Sequence, residues 1–148
     1  MKKKLNPENI CAHLNVKDDD SPNKLEIMMK MQSELQKTYY AKYLKDFGEV
    51  QKISQSKEMI LCIIDELMEF MERLPWKHWR SYHCDAYSPK PKEKKEIQME
   101  LIDLWHFFMN LCELWGLDPK TFYNMYVAKN KENFDRIKRG YARKNIKL

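Results

Sequence analysis

The sequence predicts an all-α protein, and three observations lead to that class. No segment of the 148-residue chain alternates polar and apolar residues over a useful length, as a half-buried strand would. Several long stretches instead place apolar residues at helical spacing. The chain contains only 3 glycines, too few for the many tight turns of a β-sandwich or barrel. We therefore expect four major helices packed as a bundle in a single domain over residues 1–148.

The first half of the chain is expected to hold one short helix and two long ones. Asn6-Pro7 opens a short helix reaching about residue 14, and residues 1–20 form an N-terminal extension. Ser21-Pro22, a cap followed by proline, precedes a helix over about 24–46 that ends at Gly48. Ser54 or Ser56 caps the next helix, which runs to about residue 74 and stops before Pro75.

The second half is expected to hold a loop and two further helices. The loop spans about 75–91, and a helix over about 92–115 follows it and ends at Gly116. Asp118-Pro119 starts the last helix, which reaches about residue 139 and ends at Gly140. Residues 142–148 form a basic tail. The helix over 97–115 is apolar on nearly every side, which predicts burial all round.

Composition and charge exclude several classes of function. No Gly-rich phosphate loop occurs, and no apolar run approaches the roughly 18 residues of a membrane span. The basic N-terminus lacks the apolar stretch of a signal peptide, so we expect a cytoplasmic protein. The 4 cysteines are scattered and predict neither disulfides nor zinc binding. Eight Lys/Arg against two acids over 129–148 favour an anionic partner.

Four carboxylates lie inside the two most apolar helices. Glu66 and Glu69 are three residues apart on one helix, and Glu100 and Asp103 repeat that spacing on the next. Ionised carboxylates among apolar neighbours cost several kcal/mol unless something pairs them. If the helices pack together, a hard divalent cation with oxygen ligands suits the four groups, which is Mg²⁺ chemistry. The alternative is a solvated acidic face.

Cations and aromatics offer a complement for a phosphorylated ligand. Lys129, Asn133 and Arg136 share a face of the last helix by their spacing of four and three residues. Their donors suit polyphosphate oxygens, as does the phenol that follows Gly140. The alternative is a solvated basic segment or a nucleic-acid arm. Further candidates, each of which has a purely structural alternative, are Lys77, Trp79 and His106.

Together these residues resemble the all-α dimeric dUTPases, which belong with the MazG-like NTP pyrophosphatases. The resemblance rests on ExxE at 66–69, ExxD at 100–103 with His106-Phe107, and the pattern KNxxNxxRxxxGY at 129–141. WKxW at 76–79 is similar to the phage dCTPase–dUTPase branch. The resemblance implies a four-to-five-helix bundle whose active site lies between helices of a homodimer. It also implies Mg²⁺-dependent hydrolysis of dUTP to dUMP and pyrophosphate, with dCTP as a second substrate.

The resemblance also implies a role for each candidate residue. Glu66, Glu69, Glu100 and Asp103 would hold Mg²⁺, and Glu69 would also deprotonate the attacking water. Lys77, Lys129, Arg136 and Tyr141 would bind phosphates. The base and sugar pocket would comprise Gln32, Trp79, His106 and Asn133.

One departure leaves the choice of base open. Where the family generally has Asn or Asp shortly after the glutamine, this chain has Leu35-Gln36. Uracil and cytosine differ at the 4-position as acceptor and donor, and a glutamine amide can present either. Two other functions stay open: a noncatalytic helical nucleic-acid-binding protein using the basic segment, and an NTP pyrophosphatase of purine or broad specificity. The first class makes no use of the carboxylates.

Overall fold

A computed structural model describes residues 23–77, 79 and 87–140 and confirms the all-α class. Within these residues, four α-helices follow one another: α1 (Lys24–Tyr40), α2 (Glu49–Glu72), α3 (Pro91–Leu114) and α4 (Pro119–Lys138). A short 3₁₀ helix, Leu44–Asp46, lies between α1 and α2. The described residues include no β-strand. The short helix expected over 6–14 lies outside them.

The chain divides into two compact units. The first unit, Met1–Trp115, contains α1, α2, α3 and the 3₁₀ helix. The second unit, Gly116–Leu148, contains α4. The single domain expected over 1–148 stays a prediction.

α2 and α3 pack against each other with opposite chain directions. Arg73, just after α2, pairs with Glu96 and Glu100 in the first half of α3. Ser56, near the start of α2, accepts a hydrogen bond of 3.0 Å from Nε1 of Trp115, just after the end of α3. This antiparallel arrangement brings the C-terminal third of α2, which carries Glu66 and Glu69, beside the middle of α3, which carries Glu100 and Asp103.

α1 ends earlier than the sequence predicts, and the expected helix over 24–46 is wrong in its last turn and a half. Ala41 adopts a left-handed conformation, with φ 57° and ψ 11°, directly after Tyr40. The turn lets Leu44 and Phe47 enter the core, where they are 0% and 8% exposed. The rings of Tyr40 and Phe47 meet edge to face, 5.6 Å apart. Burial of these side chains offsets the cost of a left-handed alanine.

α2 begins earlier than the sequence predicts, so the expected caps Ser54 and Ser56 are wrong. Gly48 occupies the N-cap position, and its N–H donates to Oε1 of Gln51 over 3.3 Å. Ser56 lies inside the helix and bonds Trp115 instead. The helix is therefore long enough to run beside the whole of α3.

The remaining helix ends agree with the sequence analysis to within two residues. Asp118 accepts from the N–H of Thr121 over 2.8 Å and caps α4, with Pro119 as the first helical residue. Gly116 and Gly140 both have positive φ, 67° and 81°, as expected of helix-ending glycines. These signals are local, so the sequence alone was sufficient to place them.

The expected burial of α3 on all sides is wrong. Leu101, Ile102 and Phe108 are 45%, 48% and 36% exposed. α1 and α2 cover only part of the helix surface, and the rest faces outward. α2 also exposes a row of large apolar residues at helical spacing, here called the apolar stripe: Ile60, Leu61, Ile64, Leu67 and Met68. Among the helices described, none has the length and apolar character needed to span a membrane.

Candidate active site

Three of the predicted acidic residues converge between α2 and α3. Glu66, Glu100 and Asp103 each offer a carboxylate oxygen, and these oxygens all lie within 4.8 Å of one another. Glu100 is buried, at 7% exposure, and the other two are half-buried. We call this trio the carboxylate cluster. Its spacing and oxygen chemistry fit a hard divalent cation.

Burial and repulsion between like charges disfavour the ionised form of the carboxylate cluster. Burial raises the pKa of Glu66 to about 7, and the nearby carboxylates of Asp103, Glu69 and Glu100 add to the shift. Burial also raises the pKa of Asp103, although the neighbouring His106 opposes that shift. Protons therefore compete for the Glu66 carboxylate near neutral pH, and a divalent cation would relieve the same repulsion.

Glu69 lies at the margin of the cluster. Its carboxylate is outside the trio of mutually close oxygens, yet its charge raises the pKa of both Glu66 and Asp103. It lines an open hollow of about 530 Å³ together with Asp65, Glu72 and Arg73. The structure thus brings three of the four predicted ligands together and places the fourth beside them.

Arg73 is a member of the site that the sequence analysis missed. Its Nε donates to Oε1 of Glu100 over 3.0 Å and its Nη1 donates to Glu96 over 3.2 Å, while Nη2 forms an ion pair with the same Glu100 oxygen at 2.8 Å. The sequence feature that could have indicated the role of Arg73 was the pair Glu96 and Glu100. These two acids lie one helical turn apart on α3, opposite the end of α2. The guanidinium neutralises part of the negative charge of the cluster.

A cavity of about 850 Å³ adjoins the cluster and takes its walls from α1, α2 and α3. Glu66 and Asp103 line it, as do Gln32 and His106 from the predicted base pocket. The volume is in the range of small-molecule sites. The other lining residues are Leu35, Gln36, Tyr39, Tyr40, Glu58, Met59, Cys62, Phe107 and Asn110.

A chain of side-chain hydrogen bonds runs through one wall of this cavity. His106 Nδ1 lies 2.6 Å from Oε1 of Gln32, and Nε2 of Gln32 donates to Oδ1 of Asn110 over 2.8 Å. Nδ2 of Asn110 in turn donates to Sδ of Met59 over 3.4 Å. Gln32 and Asn110 are 4% and 1% exposed. We call these four side chains the amide relay.

Asn110 is the second residue that the sequence analysis missed. Asp103, His106 and Asn110 are spaced by three and four residues, so they share one face of α3. An asparagine in the run FFMNLC, on the face that carries an acid and a histidine, was the signal. Asp103 and Asn110 lie seven residues apart, about 10 Å along the helix. The cavity thus has an ionic region and a neutral hydrogen-bonding region.

Lys77 and Trp79 lie in the connection after α2. The rings of Trp76 and Trp79 meet at 87° with centroids 5.7 Å apart, and Lys77 Nζ lies 5.0 Å from the ring centre of Trp76. Trp79 is 65% exposed, so it is not a core residue of the described chain. Neither Lys77 nor Trp79 is among the described residues that line the cavity.

The predicted phosphate-binding residues of α4 belong to the second unit. Lys129, Asn133 and Arg136 are all exposed on that helix. Arg136 Nε donates to Glu132 over 3.1 Å, and Arg139 also pairs with Glu132. Tyr141 lies outside the described residues.

The chain is similar in sequence to known proteins over much of its length. The family model described as dUTPase matches residues 24–112, which include the carboxylate cluster and the amide relay. The dCTP pyrophosphatase of Enterobacteria phage T4 is 29% identical over 147 residues, covering 82% of this chain and 85% of that protein.

Two further relatives match in part. The dCTP pyrophosphatase of Enterobacteria phage LZ5 is 39% identical over 71 residues, which cover 45% of this chain and 41% of that protein. The DNA replication protein of phage T4 is 27% identical over 137 residues, covering 76% of this chain and 34% of that protein. No solved structure matches the chain.

Proposed function

Because this chain belongs to the dUTPase family, we propose that it hydrolyses deoxypyrimidine triphosphates to the monophosphate and pyrophosphate. The family and the phage relatives support nucleoside triphosphate pyrophosphatase activity. dUTP and dCTP are the two proposed substrates, since the family is described by the first and two relatives are named for the second. The observation that carries the proposal is the carboxylate cluster at the wall of a nucleoside-sized cavity.

Mg²⁺ is the proposed cofactor, held by Glu66, Glu100 and Asp103. The donor set supports this choice because three clustered carboxylates, one with its pKa raised to about 7, suit a hard cation. A bound Mg²⁺ would neutralise phosphate charge and lower the pKa of water. Glu69, beside the cluster, is proposed to accept the proton of the attacking water.

The nucleoside is proposed to occupy the cavity, with its base against Gln32 and His106. Its phosphates would then extend toward the carboxylate cluster. Lys77, Lys129, Arg136 and Tyr141 are proposed to bind phosphate oxygens, because ammonium, guanidinium and phenol groups all donate to them. Trp79 and Asn133 complete the proposed base and sugar contacts.

A homodimer is proposed on the apolar stripe of α2. Its five large apolar residues lie at helical spacing and are each 44–67% exposed. They therefore form a surface patch, unlike the single exposed apolar residues that are normal on protein surfaces. The exposed Leu101, Ile102 and Phe108 of α3 add to the apolar surface of the first unit. A second copy of the chain would cover such a surface, as the family resemblance implies.

The decisive experiment is a substrate panel. The protein is incubated with dUTP, dCTP, dTTP, dATP and dGTP in Mg²⁺, and pyrophosphate release is measured with and without EDTA. We expect release from dUTP or dCTP, its loss in EDTA, and a loss of at least about a hundredfold in Glu100→Gln.

Glu113→Gln is the matched control, since Glu113 lies on the same helix and bonds Ser33 rather than the cluster. Folded protein that turns over no pyrimidine triphosphate contradicts the proposal. Metal-independent DNA binding that weakens steeply with salt would instead favour the nucleic-acid-binding class.

A further inference from the structure

We propose that Met59 and Asn110 fix the polarity of the amide relay, so that His106 presents an unprotonated Nε2 to the substrate base. On this proposal Asn110 is a positioning residue, and the site takes a base that offers an N–H at its hydrogen-bonding edge. The inference rests on the proposed function and specifies how the base is selected. Each step follows from which atoms can donate and which can only accept.

The donor and acceptor roles in the amide relay are set first by Sδ of Met59, which has no proton to donate. A thioether sulfur is an acceptor alone, and Met59 Sδ lies 3.4 Å from the side-chain nitrogen of Asn110. The opposite orientation of the Asn110 amide would set its oxygen against the sulfur lone pairs. At 1% exposure, no bulk water can compensate for that contact. Met59 therefore directs Oδ1 of Asn110 away from itself and toward Gln32.

The same logic passes through Gln32. Because Oδ1 of Asn110 only accepts, Gln32 must present Nε2 to it, as the 2.8 Å contact shows. Gln32 is 4% exposed, and reversing its amide would leave two oxygens facing each other in a buried place. Oε1 of Gln32 is thereby turned to His106.

The last step sets the tautomer of His106. Oε1 of Gln32 only accepts, so the 2.6 Å contact places a proton on Nδ1 of the imidazole. A neutral ring with its proton on Nδ1 carries a lone pair on Nε2. His106 lines the cavity, so the nitrogen left for a ligand is an acceptor.

An acceptor at this place recognises an N–H on the base. Cytosine offers its 4-amino group, and uracil offers N3–H, one ring position away. Either base therefore satisfies the same acceptor, whereas a 2-pyrimidinone base has neither hydrogen. The relay fixes which face the Gln32 amide presents, and the resulting acceptor on His106 receives an N–H from cytosine or from uracil.

The first test is spectroscopic and needs no turnover. Long-range ¹H–¹⁵N NMR of histidine-labelled protein reports the tautomer of each of the 4 histidines, and His106→Gln assigns the signal. We expect the Nδ1–H tautomer at His106. Asn110→Leu should convert it to a mixture or to the Nε2–H form, whereas Asn110→Asp, which keeps an acceptor for Gln32, should retain it.

Two further variants complete this test. Met59→Leu keeps the volume but removes the sulfur acceptor, so it should give partial loss of the Nδ1–H form. Gln36→Leu is the matched control, because Gln36 is a buried amide at the same cavity outside the relay. It should leave the tautomer unchanged. An Nε2–H tautomer in the unmodified protein, or no change in both Asn110→Leu and Met59→Leu, overturns the proposal.

The second test is kinetic and separates the two base donors. With dCTP, dUTP and the triphosphate of 2-pyrimidinone deoxyriboside, we expect the third to have a KM at least about tenfold higher. Asn110→Leu should raise KM for dCTP and dUTP about tenfold, with kcat changed less than about threefold, and Asn110→Asp should restore much of the loss.

A KM for the 2-pyrimidinone substrate equal to that of dCTP and dUTP overturns the proposal. A rise of KM in Asn110→Leu that is confined to one natural base overturns the claim that both bases use the same acceptor. If no triphosphate is hydrolysed, the proposed function fails, while the NMR result still decides the polarity of the relay.

Discussion

Arg73 contacts one oxygen of Glu100 twice, through a hydrogen bond from Nε over 3.0 Å and an ion pair from Nη2 at 2.8 Å. The carboxylate of Glu100 belongs to the carboxylate cluster, so the guanidinium and a divalent cation would share one ligand. Arg73 therefore lowers the charge of the cluster before any metal binds. Its side chain is 30% exposed, which leaves it room to move aside.

Removing this competitor should strengthen metal binding. We expect Arg73→Ala to bind Mn²⁺ or Mg²⁺ several-fold more tightly, measured by isothermal titration calorimetry. In EDTA the same variant should lose about 1 to 2 kcal/mol of unfolding free energy, since Glu96 and Glu100 both lose their partner. Arg139→Ala breaks an exposed ion pair with Glu132 and should change neither quantity. Weaker metal binding in Arg73→Ala would contradict this prediction.

Glu66 and Glu69 should respond differently to the same substitution. Glu66 lies within the cluster, so Glu66→Gln should weaken metal affinity about tenfold or more. Glu69 lies beside it, so Glu69→Gln should keep metal affinity within about threefold while turnover falls at least about a hundredfold. Calorimetry with Mn²⁺ and pyrophosphate release measure the two effects. Equal losses of metal affinity in both variants would show that Glu69 is an ordinary ligand.

Stability without metal should depend on pH through Glu66. Its pKa rises from 4.5 to about 7 on folding, mainly by burial, so the native state binds more protons than the unfolded state between these values. The free energy of unfolding in EDTA should therefore fall as pH rises from about 4.5 through about 7, and level off above that.

Urea unfolding at about pH 5 and about pH 8 measures this fall. Glu66→Gln should reduce it, whereas Glu49→Gln, at an exposed position of the same helix, should not. Saturating Mg²⁺ should reverse the trend, because the metal binds the ionised cluster. If the free energy of unfolding of Glu66→Gln fell by the same amount, the pH dependence would come from other groups.

The apolar stripe of α2 predicts the state of association. Ile64 is 50% exposed and lies at the middle of the stripe. A glutamate at this position should destabilise an interface between two copies of the chain. We expect Ile64→Glu to shift a dimer to monomer in sedimentation velocity while helix content by circular dichroism stays unchanged. Met31→Glu, at an exposed apolar position of α1, is the matched control. A dimer that survives Ile64→Glu places the interface elsewhere.

Local signals were sufficient for much of the fold. Asp118-Pro119, Gly116 and Gly140 each act through their own backbone conformation or cap, so the sequence alone marked these helix ends. Ala41 could not be found this way, because alanine favours helices and its left-handed conformation depends on the burial of Leu44 and Phe47. The true start of α2 was missed because serines compete with Gly48 as plausible caps.

The candidate site shows the same difference between features that local sequence predicts and features that depend on tertiary structure. The i, i+3 acid pairs could be recognised because helical spacing is a local property, and three of the four residues do meet. The contacts of Arg73 and Asn110 depend on which helices are neighbours and in which direction they run. Only tertiary structure gives that information. The residues of α4 lie in a separate unit, so their proposed contact with phosphates stays a prediction.

Asp103, His106 and Asn110 lie on one face of one uninterrupted helix, α3. For the proposed substrate, Asp103 on the triphosphate side, His106 at the base and the positioning residue Asn110 are therefore fixed on one rigid helix, with Asp103 and Asn110 about 10 Å apart along its axis. No hinge lies between them to adjust that span. α3 therefore fixes the distance between the side chains at the triphosphate and those at the base. Evolution toward a longer substrate would require moving side chains by whole helical turns.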